Sequence, residues 1–247
     1  MSSNANPVAL VTGAGRRIGA TIARTLHAAG YDIAAHANRS RGELASLLAE
    51  LESVRPGSTL AVHADLADLS APDLLVSATL GCFGRLDALV NNASAFFPTP
   101  LGDIDVAQWD SLFNVNARAP LLLAQAAAHA LREASGGIVN LVDIYSERPL
   151  PDHPVYVMSK GALVAMTQSL ALDMAPHVRV NAVAPGAILW PENPGSDNRR
   201  DDIIARTPLA RAGTAEEIAN TVMWLLRDAG FITGQIIRVD GGRSLPV

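Results

Sequence analysis

The chain has 247 residues, of which 49% are hydrophobic and 17% are charged, with a formal net charge of −5 and one cysteine. This composition predicts one compact globular domain and excludes a disordered chain, while the negative charge argues against a nucleic-acid surface. We also expect no internal disulfide, no membrane span, no apolar leader and no metal site, which fits a protein of the reducing cytoplasm.

Short apolar runs alternate with helical stretches along the whole chain. Several runs contain only Val, Ile, Leu and Ala, the pattern of parallel strands that are covered on both faces. Repeated β–α units of this kind predict an α/β fold with a doubly wound, seven-stranded parallel sheet, formed by residues 1–247 as a single domain. The predicted strands are Val8–Thr12, Asp32–Ala37, Leu60–Ala64, Ala88–Asn91, Gly137–Val142, Arg179–Val183 and Gln235–Val239.

The first predicted strand leads into a glycine-rich turn and the start of a helix, Thr12–Gly19. Glycines let the backbone approach a pyrophosphate, and a helix N-terminus attracts its charge. Arg16 and Arg17 stand at this positive helix end, where cations are unfavourable unless a bound anion offsets them. The turn therefore predicts a dinucleotide site, with a pair of solvated arginines as the alternative.

The end of the second strand distinguishes between two cofactors. NAD-binding proteins place an acid there to hold the ribose hydroxyls, but Asp32 opens this strand at its far end and no other acid precedes Glu43. Arg39 and Ser40 can instead donate to a 2′-phosphate, which predicts NADPH. Asp65 is expected to border the adenine, or else to cap the next helix.

Two predicted helices, Ala119–Leu131 and Gly161–Ala175, are apolar almost all round. A helix without a polar face is buried on every side. This favours a subunit interface, with ordinary packing under a loop as the alternative.

A proline-containing stretch from Pro185 to Pro208 interrupts the β–α alternation. It is too long for an ordinary connection, and such insertions often cover a site. We therefore predict a substrate lid at about residues 186–210, which contains Trp190.

Lys160 is the only lysine among nineteen basic residues, and Tyr156 precedes it by four positions. Residues four apart share a helix face, and a nearby cation lowers the pKa of a phenol. The pair predicts a tyrosine that acts as a general acid or base. Chance proximity of a surface lysine and a tyrosine is the alternative.

These segments, taken in order, resemble the short-chain dehydrogenase/reductase family over Pro7 to about Leu245. The resemblance implies one Rossmann-type domain, hydride transfer from a nicotinamide cofactor and usually a tetramer. It also implies that Tyr156 donates the proton, that Lys160 lowers its pKa and holds the nicotinamide ribose, and that Asn116 supports a water-linked relay. The matching segments are Thr12–Gly19, Asn91–Ala93, Asn116, Tyr156 with Lys160, and Pro185–Gly186.

Two departures narrow the resemblance. Most family members carry a glycine where this chain has Arg17 and a serine where it has Asp143, thirteen residues before Tyr156. Both departures look like the pteridine reductases, which reduce dihydropterins such as dihydromonapterin or dihydrobiopterin, and in some cases folates. Similar segments in that group are His36–Ser40, Asn91–Pro100, Gly186–Glu192 and Asp240–Leu245.

A carboxyl group at position 143 suits a nitrogen heterocycle better than a carbonyl, because a ring C=N must gain a proton. The alternative is that Asp143 caps the following loop. Phe96 is expected to stack on a flat pterin opposite the nicotinamide, and Tyr145 is a further candidate for the pocket wall. The expected substrate contacts are Arg17, Ser94, Phe96, Asp143, Tyr156 and Trp190.

The expected catalytic residues are Asp143, Tyr156, Lys160 and Asn116. The expected cofactor contacts mostly follow the carboxyl ends of strands: Gly13, Arg16, Arg17, Ile18, His36, Asn38, Arg39, Ser40, Asp65, Leu66, Asn92, Ala93, Ser94, Tyr156, Lys160, Pro185, Gly186 and Ile188.

The sequence thus predicts a cytoplasmic, homotetrameric NADPH-dependent pterin reductase without a nucleic-acid or membrane partner. One alternative is a carbonyl reductase for a 3-oxoacyl thioester, sugar or quinone, which Asp143 and Arg17 disfavour. The other is a regulator that senses NADPH without turnover, which the intact Asn116, Tyr156 and Lys160 disfavour.

Overall fold

Seven parallel strands form one sheet in the order β3-β2-β1-β4-β5-β6-β7, in a computed structural model that describes residues 6–188 and 197–245, without the side chains of residues 197–200. This confirms the predicted doubly wound α/β domain. The strands are β1 Val8–Val11, β2 Asp32–Ala37, β3 Thr59–His63, β4 Ala88–Asn91, β5 Gly137–Leu141, β6 Arg179–Pro185 and β7 Ile236–Val239.

Helices cover both faces of this sheet. Because successive strand residues point to opposite faces, Ala9 and Val11 of β1 enter one apolar core while Val8 and Leu10 enter the other. The helices are α1 Arg17–Ala28, α2 Arg41–Val54, α3 Ala71–Phe83, α4 Val106–Phe113, α5 Ala119–Glu133, α6 Pro154–Asp173, α7 Asp197–Ala205 and α8 Ala215–Arg227.

Helix α6 begins at Pro154, seven residues before the predicted Gly161. Proline suits the first helical position, because the N–H that it lacks would have no partner within the helix there. Tyr156 and Lys160 therefore lie on this helix and are both buried. By length and composition alone α6 could cross a membrane. It packs against β6, however, and a core helix passes the same test.

In the single chain, α5 and α6 are not buried on every side. Leu121 of α5 and Met158 and Leu172 of α6 are exposed, Leu172 to 81%. These exposed apolar side chains are available to a second copy, and the expected subunit interface stays a prediction.

The strand order reverses at β1, which lies between β2 and β4. In open parallel sheets, ligands bind beyond the carboxyl ends of the strands at such a reversal. The turns after β1, β2 and β4 carry Gly13, Asn38 and Asn92, and β5 is followed closely by Asp143. The topology thus gathers most of the expected site at one edge.

We predict that Gly19→Ala lowers the free energy of unfolding by about 1–3 kcal/mol, the usual cost of an overpacked core. A Cβ at Gly19 would collide with the carbonyl oxygen of Gly13 and the side chain of Asn92, which hold the first turn. Urea unfolding measures the change. The matched control is Gly42→Ala in α2, where a Cβ meets nothing within 4 Å. It should stabilise by about 0.5–1 kcal/mol. Equal effects at the two glycines would contradict the packing explanation.

Candidate active site

A cavity of about 940 Å³ opens at the carboxyl ends of β1 to β4. Every expected cofactor residue from Gly13 to Ser94 lines it, and so does Phe96. Gly19, at the end of the predicted glycine-rich turn, also lines it, and so do Glu43 and Ser111, which the sequence did not single out. At Gly13 φ is +64°, and a Cβ would lie 2.9 Å from the Cα of Ala93, so only glycine fits this turn.

Polar side chains hold the glycine-rich turn in place. Asn92 donates from Nδ2 to the carbonyl oxygens of Thr12 and Gly13, at 2.9 and 3.1 Å. His36 accepts from the Gly13 amide through Nδ1 at 3.3 Å, and its Nε2 lies 3.1 Å from the Ala64 carbonyl oxygen. Burial lowers the pKa of His36, which favours the neutral ring that this pattern requires. Both ring nitrogens are engaged, so His36 positions the turn.

Arg17 begins α1 with φ of +53°, in the left-handed region that favours glycine. The resemblance predicts glycine at this position, and the backbone explains that preference because a side chain there costs on the order of 1–2 kcal/mol. Strain of this kind persists where a side chain has a function. Among the described residues, the N-cap residue Arg16 makes no side-chain capping hydrogen bond, and Arg16 and Arg17 at this positive helix end line the cavity.

The part of the cavity beyond β2 is lined by Asn38, Arg39 and Ser40. The chain has no acidic residue between the end of β2 and Glu43. Asp32 lies at the opposite end of β2, where its carboxylate is 3.2 Å from Arg55 Nε. Asp65 lines the cavity and accepts the Ala67 amide at 2.9 Å, so it caps a turn and not the next helix, α3, which follows Ser70.

Asn116 lies in a π-helical turn, Asn114–Arg118, between α4 and α5. Its Nδ2 donates to the Ala95 carbonyl and to Ser159 Oγ, at 2.9 and 3.0 Å. Its Oδ1 accepts from the Ala95 amide and Ser94 Oγ, at 2.8 and 3.2 Å. The side chain therefore ties the segment after β4 to α6. Its water-linked role stays a prediction.

The most direct polar contact of the site joins Tyr156 and Asp143. The Tyr156 hydroxyl donates to Asp143 Oδ2 at 2.6 Å, and Asp143 Oδ1 accepts the Tyr145 amide at 2.9 Å. Burial raises the pKa of Asp143, although the two hydrogen bonds and, more weakly, Lys160 and Arg243 oppose the shift. Asp143 thus caps its loop through one oxygen and holds the tyrosine through the other.

The expectation that Lys160 lowers the pKa of Tyr156 is wrong for the free protein. Burial and then the charge of Asp143 raise the pKa of Tyr156. Lys160 is 2% exposed, its Nζ lies 5.9 Å from the Tyr156 ring centre, and it donates to the Leu141 carbonyl at 2.9 Å. Burial lowers the pKa of Lys160 to about 8, with Asp143 opposing the shift. Desolvation therefore outweighs the attraction between the charges.

Phe96 connects the cavity with the Tyr156 cluster. Its ring lies edge-on to Tyr156, with centres 4.7 Å apart, and it stacks on His153 at 4.8 Å. It is 54% exposed, so part of the ring faces the opening. The sequence did not point to His153, whose only signal is its position directly before Pro154 at the start of α6.

The remaining expected contacts lie elsewhere. Pro185 ends β6, Gly186 and Ile188 follow it, and none of the three is among the described residues that line the cavity. Within the predicted lid at 186–210, residues 189–196, which include Trp190, fall outside the described residues, and α7 occupies Asp197–Ala205. Tyr145 packs in one apolar cluster with Tyr156, at the wall of a second pocket. No group of three possible metal ligands occurs within residues 6–188 and 197–245, as far as their side chains are described.

Comparison with known proteins finds relatives over nearly the whole chain. The family described as enoyl-(acyl carrier protein) reductase matches residues 13–244. Pteridine reductase 1 of Leishmania tarentolae is 40% identical, across 97% of this chain and 96% of that protein. L-xylulose reductase of Bos taurus is 37% identical, across 95% of each chain. The 3-oxoacyl-[acyl-carrier-protein] reductase of Staphylococcus aureus is 34% identical, across 95% of this chain and 96% of that protein.

We predict that Lys160→Met raises the melting temperature at pH 7 and that this gain shrinks as the pH rises. Because the pKa of Lys160 falls from 10.5 to about 8 on folding, the unfolded chain binds the extra proton between these values. Stability of the natural chain therefore rises with pH in this window, and the full cost of the buried ammonium applies below pH 8. Calorimetry from pH 7 to 10.5 measures the difference.

Lys160→Arg is the matched control, because a guanidinium stays charged throughout this range. It should be less stable than the natural chain and should show no recovery between pH 8 and 10.5. A melting-temperature difference between Lys160→Met and the natural chain that does not change with pH would contradict the lowered pKa.

Proposed function

The chain belongs to the short-chain dehydrogenase/reductase family of oxidoreductases, and we propose that it is an NADPH-dependent reductase that transfers hydride to a dihydropterin. The observation that carries the proposal is the hydrogen bond from the Tyr156 hydroxyl to Asp143, at 2.6 Å. Serine, which the resemblance predicts at position 143, is a neutral donor to a carbonyl. A carboxyl group can hold and release a proton instead.

The cavity beyond β1 to β4 fits NADPH. Its volume of about 940 Å³, the tight approach at Gly13 and the uncapped positive end of α1 suit a pyrophosphate. Arg39 and Ser40 stand where a 2′-phosphate would need donors, and Asp32 is engaged with Arg55 at the other end of its strand. These residues favour NADPH over NADH.

The chemistry requires a hydride and a proton to add across a ring C=N. Hydride comes from the nicotinamide when NADPH is bound. When Asp143 is protonated, it donates this hydrogen bond to the Tyr156 oxygen instead of accepting it, which leaves the Tyr156 hydroxyl proton free for the ring nitrogen. Tyr156 gives that proton to the nitrogen, Asp143 passes its own proton to Tyr156, and the negative charge ends on the Asp143 carboxylate. The raised pKa of Asp143 keeps a proton available for this transfer nearer to neutral pH. Lys160 compensates negative charge that develops on Tyr156.

The substrate ring binds beside Phe96. This half-exposed ring lies at both the cavity and Tyr156, so it can stack on a flat heterocycle that reaches the tyrosine. Ser94 and Arg17 line the same cavity and offer donors to the polar edge of a pterin or to a cofactor phosphate. The name of one relative, Pteridine reductase 1, agrees with this assignment.

Carbonyl reduction is the alternative, because other relatives are named for L-xylulose and for a 3-oxoacyl carrier protein. A buried carboxylate beside the proton donor is unfavourable for a developing alkoxide, which gains from donors rather than acceptors. Asp143 therefore favours the nitrogen heterocycle. We therefore propose a dihydropterin as the substrate, with dihydrofolate as a further candidate.

We also propose that the enzyme is a cytoplasmic homotetramer. The exposed Leu121, Met158 and Leu172 on α5 and α6 provide an apolar surface that a second copy can cover. The single cysteine, Cys82, and the absence of any disulfide partner for it agree with a reducing compartment.

The test compares NADPH oxidation with dihydromonapterin, dihydrobiopterin, dihydrofolate, L-xylulose and an acetoacetyl thioester. We predict turnover of the dihydropterins, with kcat/KM at least about tenfold higher than for either carbonyl compound. We further predict that Asp143→Ser lowers kcat/KM for dihydropterins by about 10²-fold, within the usual contribution of a positioned acid.

Tyr156→Phe is the control for the proton donor, and it should keep NADPH affinity while losing turnover of every substrate. Thioester or sugar turnover without pterin turnover would overturn the proposal. NADPH binding with no turnover at all would favour a sensor. Unchanged pterin kinetics in Asp143→Ser would leave the aspartate as a loop cap.

A further inference from the structure

A second pocket, of about 380 Å³, has Tyr145 in its wall and shares no described lining residue with the larger cavity. One part of its wall is apolar and contains Pro149, Leu150 and Pro151. The other part carries three arginines, Arg148, Arg206 and Arg243. These come from the loop after β5, the end of α7 and the C-terminal segment, so the fold brings together charges that are distant in the sequence.

None of the three arginines has a carboxylate within 4 Å in the part of the chain that the structure describes. Arg148 donates one Nη2 bond to the Ser244 carbonyl at 2.6 Å, and Arg243 donates one Nη1 bond to the Ile203 carbonyl at 3.4 Å. Each guanidinium has five N–H donors, so most remain for a ligand. The pocket concentrates positive charge in a protein whose net charge is −5.

This pocket adjoins the proposed proton relay. Tyr145, in its wall, donates its amide to Asp143 at 2.9 Å and packs in the same apolar cluster as Tyr156. Arg243 is close enough to Asp143 to act on its charge. A substrate whose ring reaches Tyr156 can therefore extend a side chain past Tyr145 towards the arginines.

We propose that this pocket is an anion subsite that holds a carboxylate or phosphate on the tail of the substrate. The proposal rests on the proposed function, because that function places the reducible ring at Tyr156. Guanidinium groups bind both carboxylate and phosphate through paired donors, and the apolar wall suits the uncharged part of a tail. The preferred substrate is thus a dihydropterin with an anionic tail.

The test replaces Arg148 and Arg206 together with glutamine, which keeps polarity but removes charge. The probes are dihydrofolate, with two tail carboxylates, a dihydropterin side-chain phosphate monoester, and neutral dihydromonapterin. We expect KM to rise roughly tenfold for an anionic probe, with kcat within about twofold. KM for dihydromonapterin should change less than about twofold. A response to only one anionic probe identifies which anion the pocket takes.

A control variant and a binding measurement distinguish failure of the subsite from failure of the proposed function. The double variant Arg211→Gln/Arg227→Gln removes the same charge from arginines paired with Glu217 and Asp228, and it should leave every KM within about twofold. Calorimetric titration of dihydrofolate into the protein loaded with NADP⁺, which has no hydride to transfer, measures affinity without turnover. Arginine-dependent affinity without turnover would retain the subsite while overturning the proposed function. Equal changes for neutral and anionic probes, or no change for either anion, would overturn the subsite.

Discussion

The hydrogen bond between the Tyr156 hydroxyl and the Asp143 carboxyl is the interaction on which the site depends. Both groups are largely withdrawn from water, so burial raises both pKa values and makes the proton expensive to remove. Lys160 is buried beside them, and burial lowers its pKa. Because little water reaches these three side chains, ionising all of them at once is unfavourable. A proton that moves between Tyr156 and Asp143 is therefore the favourable arrangement.

The rest of the fold serves to hold that cluster against the cofactor cavity. Asp143 follows β5, while Tyr156 and Lys160 lie on α6, and Asn116 ties α6 to the segment that carries Phe96. The glycine-rich turn is fixed independently by His36 and Asn92. The cofactor cavity and the Tyr156 cluster therefore meet at Phe96, where a flat ring can lie between the cofactor and the proton donor.

Local signals made the sheet and the glycine-rich turn predictable, because strand hydrophobicity and glycine conformation are properties of short segments. The apolar stretch that marks α6 begins only at Gly161, and the spacing of Tyr156 and Lys160 placed them on a helix without giving its start, which is Pro154. The pKa of Tyr156 was wrong in direction because spacing reveals a neighbouring charge but not desolvation. The stack of His153 on Phe96 and the convergence of three arginines depend on tertiary packing, which no local pattern carries.

The most direct measurement of the proton-sharing account is the single-turnover rate of NADPH oxidation with dihydromonapterin as a function of pH. In the natural enzyme, the rate should fall as the pH rises through the raised pKa of Asp143, because the relay loses its replacement proton. Asp143→Asn should be slower throughout and should lack that limb. A variant that keeps both the natural rate and the same pH limb would contradict the account.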